Sequence, residues 1–235
     1  MNREYHRWFS PRLGRDMDLL VVGHGGAPYV VFPSSMGSFH EYDDMHMTGA
    51  LAEKLVHGHL QLFCVSTVDS ESWYNAQAHP RWRVERSLQY EGYLLDEVVP
   101  FVRQRGGGAL GVTGCSFGAY HALVLALRRP DIFERCVTMG GAYDIKRFLD
   151  GYYDQDCYFL NPPDFLPNLD DTWVLDHCRR NKWVLATGDR DICRRDNEEM
   201  ASLLEAKGIP AHLHVWGDSE HDWPAWRDMA RAYLP

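Results

Sequence analysis

Ala109-Leu110-Gly111-Val112-Thr113-Gly114-Cys115-Ser116-Phe117-Gly118-Ala119-Tyr120-His121-Ala122-Leu123 decides how this chain is read. A short apolar run enters Gly-x-Ser-x-Gly, and small, helix-compatible residues follow at once. Strand, sharp turn and helix is the setting in which that pentapeptide places a serine hydroxyl clear of a sheet. The turn demands a strained serine backbone. Glycines two before and two after it keep Cβ atoms out of the strand–helix crossing. The helix then presents its positive N-terminus and unpaired N–H groups to whatever reacts at the serine. Alone, the pentapeptide is compatible with an ordinary glycine-rich turn, so the rest of the chain has to decide.

On either side of this stretch, apolar runs alternate with helical patterns. Residues 3–9 and Met17–His24 read as an early hairpin-like pair of strands at a sheet edge. Further strands are expected over Tyr29–Pro33, Leu60–Ser66, Phe133–Met139, Lys182–Thr187 and Ala211–Trp216. Helices are expected around Met45–Val56, over Arg83–Arg105 with a kink or restart at Pro100, over Asp196–Lys207 and over Asp222–Leu234. The alternation predicts an α/β fold with a mostly parallel central sheet and helices on both faces. Residues 143–178, rich in Asp, Pro and aromatics, read as an irregular, lid-like excursion inside a single domain spanning 1–235.

Composition narrows the function classes. The 235 residues are 45% apolar and 13% aromatic, enough for a large core, and the net charge of −9 argues against nucleic acid or an anionic membrane as partner. No apolar run has transmembrane or signal-peptide character, and the six cysteines are scattered without a C-x-x-C pair. A cytoplasmic protein with reduced thiols is the expectation. Oligomeric state is not readable from sequence.

Two more loops bear on Ser116. Gly188-Asp189-Arg190-Asp191 follows one expected strand, and Gly217-Asp218-Ser219-Glu220-His221-Asp222-Trp223 follows the last. In parallel sheets ligands gather where strands end. Serine, acid and histidine thus stand at three strand ends, in the chain order of an α/β-hydrolase triad. Either Asp189 or Asp191 can supply the acid; Asp218 and Glu220 read as solvated. A serine so placed would attack an acyl carbonyl, with His221 relaying the proton. One oxyanion donor is by the usual geometry the backbone N–H of Phe117.

The chain resembles the putative esterase family of α/β-hydrolases, which includes esterase D-like proteins, from about Tyr29 onward. Gly114–Gly118, Gly188–Asp191, Asp96-Glu97-Val98-Val99-Pro100 and His221-Asp222-Trp223-Pro224-Ala225-Trp226 carry the likeness, the His-x-Trp-x-x-Trp ending most specifically. The loop Pro33-Ser34-Ser35-Met36 departs from the Asp-Gly or His-Gly pair of many relatives. The resemblance implies a serine esterase that works through an acyl-enzyme on a small-molecule ester, without cofactor or metal. Its Gly-x-x-Asp spacing favours Asp191 as the acid, and it places the second oxyanion donor at the backbone of Met36, with Ser35 next. Acyl transfer to another acceptor, or a non-catalytic binding protein on the same fold, are the rival functions. Ser35, Trp73 and Tyr153 are candidate substrate contacts, although Trp73, Tyr74, Tyr153 and Phe159 serve equally well as packing under the excursion. The pairs His57/His59 and His212/His214 lack further ligands for a metal site. Cys115 reads as core, and Gly106-Gly107-Gly108 as a loop unlike any phosphate-binding sequence.

Overall fold

The computed structural model describes residues 1–106 and 108–235; Gly107, within the glycine run read as a loop, lies outside the described residues. Strands β1 (Arg3–Ser10) and β2 (Arg15–Val22) form the expected antiparallel hairpin at one sheet edge. Then come β3 (Ala27–Phe32), the short helices α1 (Glu41–Asp44), α2 (Met47–Ala50) and α3 (Ala52–Val56), and β4 (Leu60–Val65). Helix α4 (Pro80–Tyr93) passes through a π turn at Leu94–Val98 into α5 (Val99–Arg103). Strand β5 (Leu110–Cys115) leads into α6 (Phe117–Arg128), and β6 (Phe133–Met139) follows. The excursion carries α7 (Gln155–Leu160), α8 (Pro162–Phe165) and α9 (Thr172–Arg180). The chain closes with β7 (Lys182–Gly188), α10 (Arg194–Ala206), β8 (Ala211–Trp216) and α11 (Trp223–Tyr233).

The eight strands among the described residues form one sheet in the order β1-β2-β4-β3-β5-β6-β7-β8, parallel from β4 through β8. This is the α/β-hydrolase fold. Inner strands are buried on both faces and send alternate residues to opposite sides. Tyr29 and Val31 pack with Tyr42, Met47 and Trp226 on one face, whereas Val30 and Phe32 pack with Phe117, Tyr120 and Tyr90 on the other. Parallel pairing brings the ends of β3, β4, β5, β6, β7 and β8 to one edge of the sheet, and the loops there build the site. No helix among the described residues is long and apolar enough to cross a membrane.

Three expectations need correction. The helix expected around Met45–Val56 is broken into three pieces that begin at Glu41, with His46 in the left-handed region (φ 59°) between the first two. The helix expected from Arg83 starts at Pro80, capped by the His79 imidazole. Pro100 does restart it, but through the wide π turn just before: proline has no N–H to give the Asp96 carbonyl, and its ring would crowd a regular turn. The 143–178 excursion is largely helical. Its helices are short and capped by Asp154 and Asp171, too brief to impose a period on the sequence.

Candidate active site

Ser116 stands between β5 and α6 with φ 56° and ψ −120°, a conformation that non-glycine residues rarely adopt. Its flanking glycines are required by contact. A Cβ on Gly114 would lie 2.4 Å from the Gly118 carbonyl carbon, and one on Gly118 would lie 2.3 Å from the Pro33 carbonyl oxygen. The nucleophile turn is thereby wedged against the end of β3. Backbone bonds fix it: Ser116 N–H donates to the Met139 carbonyl at 2.9 Å, and the Ser116 carbonyl accepts from Ala119 and Ala142.

The imidazole of His221, on the loop after β8, bridges two groups. Its Nε2 lies 2.9 Å from Ser116 Oγ and its Nδ1 lies 2.7 Å from Asp191 Oδ1. The Asp191 side chain is fully buried and its Oδ1 also accepts the Cys193 N–H at 2.7 Å. Asp189 does other work: its carboxylate accepts the Ser219 N–H, tying the loop after β8 to the end of β7. Backbone hydrogen bonds from Ser219 and Asp218 hold the Asp189 carboxyl below the usual carboxylate range. Asp218 is almost wholly exposed and pairs with Arg190. Asp222 caps α11 by accepting the Trp223 N–H. From α11, Trp226 sets its indole edge-on to His221 with ring centres 4.9 Å apart.

The loop after β3 is a tight turn in which Gly37 N–H donates to the Ser34 carbonyl and Met36 takes φ 59°. Glu41 accepts from both the backbone N–H and the hydroxyl of Ser34, each at 2.7 Å. Burial raises the Glu41 carboxyl pKa, and the Ser34 bonds oppose it. The Met36 N–H donates to Asp69 Oδ2 at 3.0 Å. Asp69 Oδ1 accepts from His121 Nε2 at 2.9 Å, and both side chains are buried beneath the turn. The Phe117 N–H, in the first turn of α6, stands outside the intrahelical ladder.

The structure therefore brings Ser116, Asp191 and His221 together, and leaves Asp189 aside. Ser35, an exposed residue, accepts a hydrogen bond from Tyr74 at 2.7 Å, and Tyr74 lies edge-on to Phe117. Trp73 is a core residue at 1% exposure, packed on Tyr120 and Phe148, and so is corrected from wall to support. Tyr153 is exposed and hydrogen-bonded to Asp164 in the excursion. Cys115 is fully buried beside the Tyr42 hydroxyl. A cavity of about 500 Å³ lined by Leu127, Arg128, Tyr158, Phe165 and Val174 lies at the far end of α6 from Ser116 and shares no residue with the constellation. Among the described residues the one cluster of three metal-ligand types is Asp191, Cys193 and His221; neither histidine pair belongs to such a group.

Asp69 and His121 are the pair that sequence reading missed. Asp69 stands just past the end of β4, an edge where functional groups gather, and that position was the available signal. His121 lies in an otherwise apolar helix and carries no mark of its partner.

The family model described as Putative esterase matches residues 10–232. The chain belongs to this esterase family. The enzyme is thus a hydrolase of carboxylic esters. Its backbone is similar to that of a ferulic acid esterase, with 15% identity, a TM-score of 0.79 and coverage of 100% of this chain and 96% of that one. It is similar to an S-formylglutathione hydrolase from Agrobacterium tumefaciens (16% identity, TM-score 0.74, 99% and 92% covered). A fluorophosphonate-binding serine hydrolase of Staphylococcus aureus also superposes, at 17% identity, TM-score 0.70 and 98% and 96% coverage. At these identities the likeness speaks for the fold of the enzyme. No curated protein matches it.

Proposed function

We propose that the enzyme hydrolyses its ester through an acyl-enzyme formed on Ser116, with His221 as general base and acid and Asp191 as the orienting acid. The observation that carries this is the single imidazole spanning Ser116 Oγ at 2.9 Å and Asp191 Oδ1 at 2.7 Å. Nε2 is positioned to take the serine proton as Oγ attacks the acyl carbon, then to return it to the departing alcohol. Water repeats the sequence to release the acid. Asp191 holds the imidazole with its Nδ1–H toward the carboxylate and balances the imidazolium as it forms.

The Phe117 N–H supplies one oxyanion donor at the start of α6. The turn at Ser34–Gly37 supplies the second. For Met36 to serve, its N–H must leave Asp69 Oδ2, so the turn shifts as the tetrahedral oxyanion develops; Ser35 N–H is the neighbouring donor. The excursion over 143–178 is the proposed cover of the acyl site, with Tyr153 among its exposed rings.

Hydrolysis of p-nitrophenyl esters of increasing acyl length by the natural enzyme and Ser116→Ala tests the proposal. Turnover should fall by at least about a thousandfold in the variant, and fluorophosphonate labelling should vanish. Undiminished turnover in folded Ser116→Ala would move the chemistry to another residue.

A further inference from the structure

The triad carboxylate has one oxygen to spare. Asp191 Oδ1 receives both the His221 Nδ1–H and the Cys193 N–H, while Oδ2 is buried with no hydrogen-bond partner among the described residues. The indole Nε1 of Trp226 is in the same condition, buried and without an acceptor. Both atoms face Gly140, the residue that follows β6. A Cβ built on Gly140 would lie 2.6 Å from Asp191 Oδ2, 2.9 Å from Trp226 Nε1 and 3.1 Å from His221 Nδ1. The donor and the acceptor therefore lie within the span of one bridging water, over a position kept free of side chain. Gly140 also has φ 57°, so a side chain there would be strained as well as crowded.

A buried carboxylate oxygen without a donor and a buried N–H without an acceptor each carry a desolvation cost. One shared contact removes both. We propose that Trp226 is a positioning residue of the catalytic site: its indole N–H is linked to Asp191 Oδ2 through one bridging water. The carboxylate plane is thereby fixed so that Oδ1 meets the imidazole. The same ring, edge-on to His221, limits the imidazole's swing, so Trp226 restrains both partners of the bond it supports. This inference rests on the triad reading for its catalytic consequence, although the Trp226–Asp191 contact is measurable without it.

The test is spectroscopic first. In a ¹H–¹⁵N spectrum of the natural enzyme, assigned with Trp226→Phe, the Trp226 indole N–H should be downfield and slow to exchange with solvent. Asp191→Asn, which preserves side-chain shape, should move that one signal upfield and leave the indole of Trp82, exposed on α4, in place. In kinetics, Trp226→Phe keeps a ring beside His221 and removes the donor, so kcat should fall about tenfold with KM little changed. An indole signal indifferent to Asp191→Asn overturns the proposal, as does unchanged kcat in Trp226→Phe. Should Trp226→Phe fail to fold, the signal is assigned by elimination against the other tryptophans, and the Asp191→Asn comparison still decides. Retained activity in Ser116→Ala would instead refute the triad while leaving the indole result to stand alone.

Discussion

Met36 gives its backbone N–H to the carboxylate of Asp69 at 3.0 Å, thirty-three positions further along the chain. Met36 occupies a left-handed turn position that favours glycine, at a cost on the order of 1 kcal/mol. The bond to Asp69, itself steadied by His121, offsets that strain and sets which way the turn amide points.

Asp69→Ala should therefore cost more than a surface change. It leaves the His121 Nε2–H buried without an acceptor and takes the partner from the more exposed Met36 N–H, a loss of about 1–3 kcal/mol in urea unfolding. Because the Met36 N–H must leave Asp69 to meet the oxyanion, loss of this bond costs kcat only through a looser turn, and kcat should fall by less than about tenfold. Asp69→Asn retains one acceptor oxygen and should lose less of both. Unfolding curves and steady-state kinetics on the pair check this.

The two aspartates after β7 should separate cleanly. Asp191→Asn should lower kcat by about 10⁴, because the amide no longer orients the imidazole or balances its charge. Asp189→Asn should keep kcat within a few fold, since Asp189 braces the Ser219 backbone and touches neither Ser116 nor His221 in its hydrogen bonding. Comparable losses in both variants would contradict the assignment.

Thiol reagents should leave the enzyme active. Burial pushes the thiols of Cys178 and Cys193 up to about 12 and that of Cys157 up to about 11, and it raises Cys64, Cys115 and Cys136 well above the ordinary value. Little thiolate is then available near neutral pH. Iodoacetamide at pH 8 should spare ester hydrolysis even though Cys115 adjoins Ser116, whereas a fluorophosphonate abolishes it. Rapid inactivation by iodoacetamide would point to a reactive thiol at the site.

Only strong acid should loosen the excursion. Burial would raise the Asp164 carboxyl, but hydrogen bonds from Lys146, Tyr153 and Asn161 outweigh it and hold Asp164 below its ordinary value. A depressed carboxyl stabilises the fold fully above the unfolded pKa of about 3.9 and loses that contribution as pH falls through the folded value. Asp164→Asn should accordingly unfold at lower urea than the natural enzyme at pH 7, and the gap should narrow at about pH 2.5. A gap independent of pH would mean that packing, not charge, is lost in the variant.

Much of the fold was legible because its signals are local. Unbroken apolar runs such as Tyr29–Phe32 mark strands buried on both faces, and glycine at 114 and 118 marks the crossing that forces Ser116 into its strained turn. The order Ser116, Asp191, His221 could be read because each residue follows a recognisable strand. Short helices such as α7 and α8 could not be read: with so few residues, their helicity depends on caps and tertiary contacts more than on any period.

The strand–turn–helix around Ser116, the parallel α/β arrangement and the strand ends on which the reactive residues stand are all local properties, since each depends on residues adjacent in the chain. That Asp191 rather than Asp189 faces His221, that Asp69 and His121 lie under the Met36 turn, that Trp73 is core, and that Asp191 Oδ2 and Trp226 Nε1 both face Gly140 depends on long-range packing. Those choices rest on hydrogen-bond directions and burial between segments at least 30 residues apart. They are set when the sheet brings strand ends to one edge, and no local pattern records them.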